Sequence, residues 1–262
     1  KDAKIRVPFG YQAGNRVSPD GKMIVSAAKL PNASDCMKNY PCTQIWKIPI
    51  DGSAPIKITN PQDSYTDISP CWSPDGKKVA FQRIELVEGN GEEIFGDGRG
   101  IYIVDSSGGE PKFLISKSGQ YFNSLVWSPD GKMIAYLSGD KEGIKPNAIN
   151  VINVSNNETR VVGKVTAANV NIELAWSPDS KRIAFNSFGN VIKVMSLSDG
   201  SIDEISSGLL DVRIHHLDWS PDGKRFVFGG MKKKGDAEFW WVENFLPLDK
   251  LAQKKETKDL LI

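Results

Sequence analysis

Residues 71–81, CWSPDGKKVAF, read as a β-hairpin. Ser73-Pro74-Asp75-Gly76 is a turn with a mechanism. Pro74 presets φ near about −65°, Asp75 can bond its own neighbouring backbone, and Gly76 accepts a positive φ. The flanks, Cys71-Trp72 and Val79-Ala80-Phe81, are short apolar runs suited to buried strands. Close copies stand at 126–136, VWSPDGKMIAY, and at 175–185, AWSPDSKRIAF. Two more are RVSPDGKMIV at 16–25 and DWSPDGKRFVF at 218–228. The turn prolines Pro19, Pro74, Pro129, Pro178 and Pro221 are spaced by 55, 55, 49 and 43 residues. Self-similarity at this period signals stacked supersecondary units. Two copies depart from the pattern. Val17 replaces Trp, a smaller wedge, and Ser180 replaces Gly, which costs about 1 kcal/mol if the left-handed conformation is kept.

The rest of each unit recurs too. After a variable loop comes a third strand: QIWKIPI (44–50), GIYIVD (100–105), AINVINV (148–154), NVIKVMSL (190–197) and EFWWVEN (238–244). In four units a tight polar turn then leads to a fourth short strand: IKIT, PKFLI, TRVVG and IDEIS. Four antiparallel strands per unit, repeated around an axis, define an all-β fold, a β-propeller, with five blades counted. The tryptophans 72, 127, 176 and 219 are expected to pack between neighbouring blades.

The chain has 262 residues, 40% of them apolar and 25% charged, as in ordinary globular domains. Residues 1–247 are assigned to one propeller domain, and 248–262 to a C-terminal helix or linker tail with an amphipathic pattern. No run of about 18 apolar residues is present, so no membrane insertion is expected. The formal net charge of +1 lacks the basic excess of a nucleic-acid binder, and no nucleic-acid partner is expected. Lys232-Lys233-Lys234 reads as solvated loop charge. The chain begins at Lys1, which implies either a removed signal peptide or an expression boundary. Cys36 and Cys42 flank MKNYP inside one loop and can bridge, which would imply an oxidising compartment. Cys71 reads as a small buried thiol.

The five SPD(G/S)K turns, followed by third strands of the IWKIPIDG type, resemble the WD40-like PD40 repeats of the TolB-type propeller. The resemblance covers almost the whole chain. It implies a non-catalytic protein-binding module like the periplasmic TolB propeller, a propeller attached to a peptidase, or a propeller like that of oligogalacturonate lyases. TolB-type rings have six blades, so it also implies either a five-bladed closure or a piece of a larger ring. The unassigned strand KIRVPF (4–9) is expected to supply the missing fourth strand of the last blade, which would remove an open edge.

Naming the strands A to D outward from the axis, the A–B and C–D turns share one face. The long B–C loops and the D–A links share the other, and long loops on a rigid scaffold are where binding residues concentrate. Just upstream of the Trp positions, polar residues are expected at the channel mouth of that face: Asp67, Asn123, Asn171, Glu173, His215 and His216. They are the candidate ligand-binding residues. His215 and His216 are adjacent on a strand and point to opposite sides, so no metal site is expected. The acidic residues Glu85, Glu88, Glu92, Glu93 and Asp97 lack the ligand spacing of a calcium loop. No nucleophile elbow, Walker A, dinucleotide or zinc-protease motif occurs, and neither a catalytic residue nor a cofactor is expected. The expected partner of this monomer is a protein or peptide, with carbohydrate as an alternative, in the periplasm or outside the cell. In a polysaccharide-active alternative, Asp67, Glu173 and Asp211 would be the carboxylates.

Overall fold

The computed structural model describes residues 15–28, 35–37, 40–62, 64–87, 98–116, 121–139, 147–165, 172–186, 191–207, 212–232 and 237–243. The first unit runs β1 (Arg16–Val17), β2 (Met23–Ala28), a separate hairpin of β3 (Asp35–Met37) with β4 (Tyr40–Pro41), then β5 (Gln44–Pro49) and β6 (Ile56–Lys57). Its sheet order is β1-β2-β5-β6. Blade 2 is β7 (Tyr65–Trp72), β8 (Lys78–Glu85), β9 (Gly100–Asp105) and β10 (Lys112–Ser116). Blade 3 is β11 (Tyr121–Trp127), β12 (Met133–Gly139), β13 (Ala148–Asn153) and β14 (Thr159–Lys164). Blade 4 is β15 (Leu174–Trp176), β16 (Arg182–Asn186), β17 (Val191–Ser196) and β18 (Ile202–Ser206). Blade 5 shows three strands, β19 (Val212–Trp219), β20 (Arg225–Lys232) and β21 (Ala237–Glu243). Every blade pairing is antiparallel, and no helix occurs among the described residues. The expected strand at 4–9 and the tail at 248–262 lie outside the described residues.

The hairpin turn is built alike in all five copies. In blade 2 the Ser73 hydroxyl donates to Asp75 Oδ1 at 2.6 Å, Asp75 Oδ1 accepts the Lys77 amide at 3.0 Å, and Ser73 Oγ accepts the Lys78 amide at 2.9 Å. Serine and aspartate therefore satisfy the backbone groups that the reversal strips from the ladder. Gly76 sits at φ 68°, as the turn requires. Ser180 keeps the same left-handed conformation at φ 57°, and its hydroxyl accepts the Asp130 amide of the neighbouring turn at 3.1 Å. The strain of the missing glycine is offset by a bond between blades.

The shared face of the A–B and C–D turns is fixed by one repeated backbone bond. Ile50, Ser106, Val154 and Leu197, at the C–D turns, donate to the carbonyls of Lys22, Lys77, Lys132 and Lys181 at the A–B turns, at 2.7–3.0 Å.

Apolar side chains on both faces of the blades form four cores. Val25, Ala27 and Ile45 of blade 1 meet Trp72, Val79 and Phe81 of blade 2. Blades 2 and 3 meet through Ala80, Ile101, Leu125 and Tyr136, blades 3 and 4 through Ala135, Leu137, Trp176 and Phe185, and blades 4 and 5 through Ala184, Ile192, Trp219 and Phe226. One sheet face alone cannot bury itself, so each blade needs its neighbour.

All four tryptophans pack against cores between blades as expected, with Trp72 9%, Trp176 6% and Trp219 6% exposed. The Trp72 indole N–H donates to the Arg16 carbonyl at 3.1 Å, and that of Trp176 to the Val126 carbonyl at 3.1 Å. Trp127 differs. It is only partly buried, and its N–H donates to Gly131 O of its own turn at 3.0 Å. Cys71 is free and buried, and burial pushes its thiol up to about 12. Cys42 is disulfide-bonded.

Candidate functional site

The D–A end of the inner strands is shaped by a recurring irregularity. The ladder slips between Ile68 and Cys71, between Asn123 and Val126, and between His215 and Asp218. At each slip one residue takes a left-handed conformation: Ser69 at φ 52°, Ser124 at φ 55° and His216 at φ 53°. Each lies three residues before the Trp position, and Glu173 holds that position in blade 4. Such bulges re-aim side chains out of the strand alternation, and non-glycine residues with positive φ collect at binding sites.

Polar clasps join the blades at this end. Between blades 1 and 2, Thr43 Oγ1 and Thr66 Oγ1 lie 2.7 Å apart, and Thr43 Oγ1 also donates to the Asp67 carbonyl at 2.7 Å. Between blades 3 and 4, the Leu174 amide donates to Ser124 Oγ at 3.2 Å. Between blades 4 and 5, Asn186 Nδ2 donates to the Ile214 carbonyl at 2.9 Å, while Asn186 Oδ1 accepts the Glu173 amide at 2.7 Å. Glu173 Oε1 faces His216 Nδ1 at 3.6 Å across the same junction. Among the described residues, Glu173 Oε2 is buried with no hydrogen-bond partner.

Of the candidates named from the sequence, the structure brings Glu173 and His216 together. Asp67 is placed elsewhere. Its side chain is 0% exposed, and its carboxylate accepts from Arg83 Nε at 2.7 Å and Nη2 at 3.0 Å. Arg83 in turn lies over the rings of Phe81 and Tyr102, 5.5 and 5.1 Å from their centroids. Burial pushes the Asp67 carboxyl up, against the opposing pull of the Arg83 hydrogen bonds and charge. Asp67 therefore anchors blade 2 and is not open to a ligand in this arrangement. The side chains of Asn123 and His215, and the whole of Asn171 and Asp211, lie outside the described residues. Among the described residues, no group of three His, Cys, Asp or Glu side chains could hold a metal ion. No described helix is long and apolar enough to cross a membrane.

The sequence reading did not single out Ser69, Ser124, Arg83 or Asn186. A signal existed for the serines, since both stand three residues before a Trp. Asn186 was visible as a polar residue at a strand position where blade 3 has Leu137.

A concavity lies at the opposite end of the inner strands from Glu173. It is a cavity of about 460 Å³ on the SPDG face, lined by the inner-strand ends of all five blades, including Val17, Cys71, Trp127, Ala175 and Asp218.

Four-stranded antiparallel blades closed by the SPDG hairpin define a β-propeller of the TolB type. The fold matches TolB of Acinetobacter baumannii with a TM-score of 0.65 and 19% identity, over 86% of this chain and 51% of that one. Residues 63–234 match the family model described as Eukaryotic translation initiation factor eIF2A, and the chain belongs to that family. An oligogalacturonate lyase in complex with manganese shares the fold with a TM-score of 0.61 and 14% identity, over 92% of this chain and 67% of that one. Dipeptidyl-peptidase 5 of Aspergillus fumigatus is 29% identical over 144 residues, 51% of this chain and 19% of the peptidase. The chain thus spans about half the length of the TolB chain and about a fifth of the peptidase.

Proposed function

We propose that this chain is a non-catalytic binding propeller that recognises a protein or peptide through its D–A face, in the periplasm or outside the cell. One scaffold underlies a TolB protein, a lyase and a peptidase relative, so the fold alone selects no activity and the site must. The observation that carries the reading is Glu173. Its Oε2 is a buried acceptor without a partner among the described residues, held by the Asn186 clasp and set beside His216 on a bulged strand. A peptide amide or ammonium group would satisfy it, and a lone buried acceptor costs about 1–3 kcal/mol until something does. Most glycoside hydrolases use a pair of carboxyl groups, and of the candidates Asp67 is committed to Arg83. The Cys42 disulfide fits an oxidising compartment.

The similarity to dipeptidyl-peptidase 5 favours a second reading, in which the same face passes peptides to a hydrolase domain. Both readings are tested by capturing partners from a native envelope extract and measuring affinity by calorimetry. Glu173→Gln and His216→Ala should each weaken binding about tenfold or more, whereas Asp51→Ala on the opposite face should not. Polysaccharide cleavage by the purified protein that is lost in Glu173→Gln would overturn the binding reading. A captured partner that is itself a serine hydrolase, bound through Glu173, would select the second.

A further inference from the structure

Three described junctions are tied by side-chain hydrogen bonds between blades. At blades 1 and 2, the Trp72 indole N–H donates to the Arg16 carbonyl at 3.1 Å, and Thr43 Oγ1 donates to the Asp67 carbonyl at 2.7 Å. At blades 3 and 4, the Trp176 indole N–H donates to the Val126 carbonyl at 3.1 Å, and Ser124 Oγ accepts the Leu174 amide at 3.2 Å. At blades 4 and 5, Asn186 Nδ2 donates to the Ile214 carbonyl at 2.9 Å.

At blades 2 and 3 the side chains in the same repeat positions do not tie the blades. The Trp127 N–H donates to Gly131 O of its own turn. Gln82 stands where blade 4 has Asn186, each pairing with the isoleucine of its third strand, Ile101 or Ile192. Gln82 shares a sheet face with Ala80 and Ile101, both in the core between blades 2 and 3. It is 0% exposed, and among the described residues neither its Oε1 nor its Nε2 has a hydrogen-bond partner. A buried amide left unpaired destabilises the packed arrangement that buries it. At the Trp level of this junction the Trp127 amide meets the Cys71 sulfur, a weak acceptor.

We propose that the junction between blades 2 and 3, weakened by the unpaired Gln82 amide, is a built-in hinge that opens while the junctions of blades 3–4 and 4–5 stay closed. Apolar contacts dominate what holds it, and these tolerate sliding and separation in a way that directional bonds do not. Ser69 and Ser124, the bulged residues at positive φ, stand on the inner strands either side of it. Opening the hinge therefore changes the spacing of blades 2 and 3 on the D–A face. Cys71 is a free thiol buried in this junction's core, so its reactivity reports the opening. The hinge rests on the packing of the blades and not on the ligand reading of Glu173.

The experiment is iodoacetamide labelling of the full chain under non-reducing conditions, followed by mass. Cys71 is compared with Ala135→Cys and Ala184→Cys, each in a Cys71→Ala background that copies Ala175. Ala135 and Ala184 are 0% exposed and belong to the cores of blades 3–4 and 4–5. Cys71 should label about tenfold or more faster than either, the worth of one or two net hydrogen bonds. Its rate should also rise less steeply with urea, because a local opening exposes less surface than global unfolding. Gln82→Leu, which copies Leu137, should slow Cys71 labelling about tenfold. Asn186→Leu should speed labelling at Ala184→Cys and leave Cys71 unchanged. The urea comparison needs no change at Asn186 or Gln82, so it decides the matter even if those variants fail to fold. Equal rates and equal urea dependence at the three sites overturn the proposal, as does an unchanged Cys71 rate in Gln82→Leu or a parallel rise at Cys71 in Asn186→Leu.

Discussion

Replacing Trp176 and Trp127 by alanine in parallel separates two kinds of wedge that look identical in sequence. An aromatic side chain buries about 150–250 Å², and at about 25 cal/mol/Å² that is worth roughly 4–6 kcal/mol as an upper bound. Trp176 is 6% exposed, packs on Ala135, Leu137 and Ile183, and donates across the junction to Val126. Its removal should cost about 4–5 kcal/mol, the upper part of the range for aromatic-to-alanine changes in cores. Trp127 is partly exposed, and its N–H bonds its own turn. About half the transfer term is at stake, and the N–H bond joins no second blade, so the cost should be about 2 kcal/mol. With a urea m-value of about 3 kcal/mol/M, the midpoints should fall by about 1.5 M for Trp176→Ala and about 0.7 M for Trp127→Ala. Equal shifts, or a larger one for Trp127→Ala, would refute the assignment of Trp127 as the looser wedge.

Other outcomes follow from the same geometry. Arg83→Met should cost about 3–5 kcal/mol by leaving the Asp67 carboxylate buried and unpaired, and adding Asp67→Leu should recover most of it, as chemical denaturation would show. Ser180→Gly removes backbone strain of about 1 kcal/mol but also the bond to the Asp130 amide, so its denaturation midpoint should stay within about 0.5 kcal/mol of the parent. The Ser18, Ser73 and Ser220 hydroxyls and the following lysine amides hold the Asp20, Asp75 and Asp222 carboxyls below the ordinary value of 3.8. Folded-state values below the unfolded ones mean that this contribution is present above 3.8 and is lost as pH falls through the lower folded values. Melting curves across that acidic window should therefore slope less steeply in a triple Asp→Asn variant.

Much of this was legible in the sequence because turn chemistry and strand period are local. The third strands expected at 100–105 and 148–154 appear at Gly100–Asp105 and Ala148–Asn153, since their apolar runs and flanking turns admit no other reading. The site was harder. Asp67 and Glu173 look alike as acidic residues upstream of a Trp. Only the pairing of β7 with β8 puts Arg83 directly opposite Asp67 and commits that carboxylate. The bulges at Ser69, Ser124 and His216 shift the strand alternation at the channel, which a strict period of two cannot anticipate. Trp127 shares its hairpin sequence with Trp176, and nothing local distinguishes an indole that bonds its neighbour from one that bonds its own turn.

The central claim, recognition of a protein or peptide through the D–A face, is tested most directly by amide hydrogen exchange with and without the captured partner. The predicted result is slowed exchange at 65–69, 121–124, 172–174 and 212–217, with no change at the turns 51–53, 106–109, 155–158 and 198–200. Protection confined to those turns would contradict it.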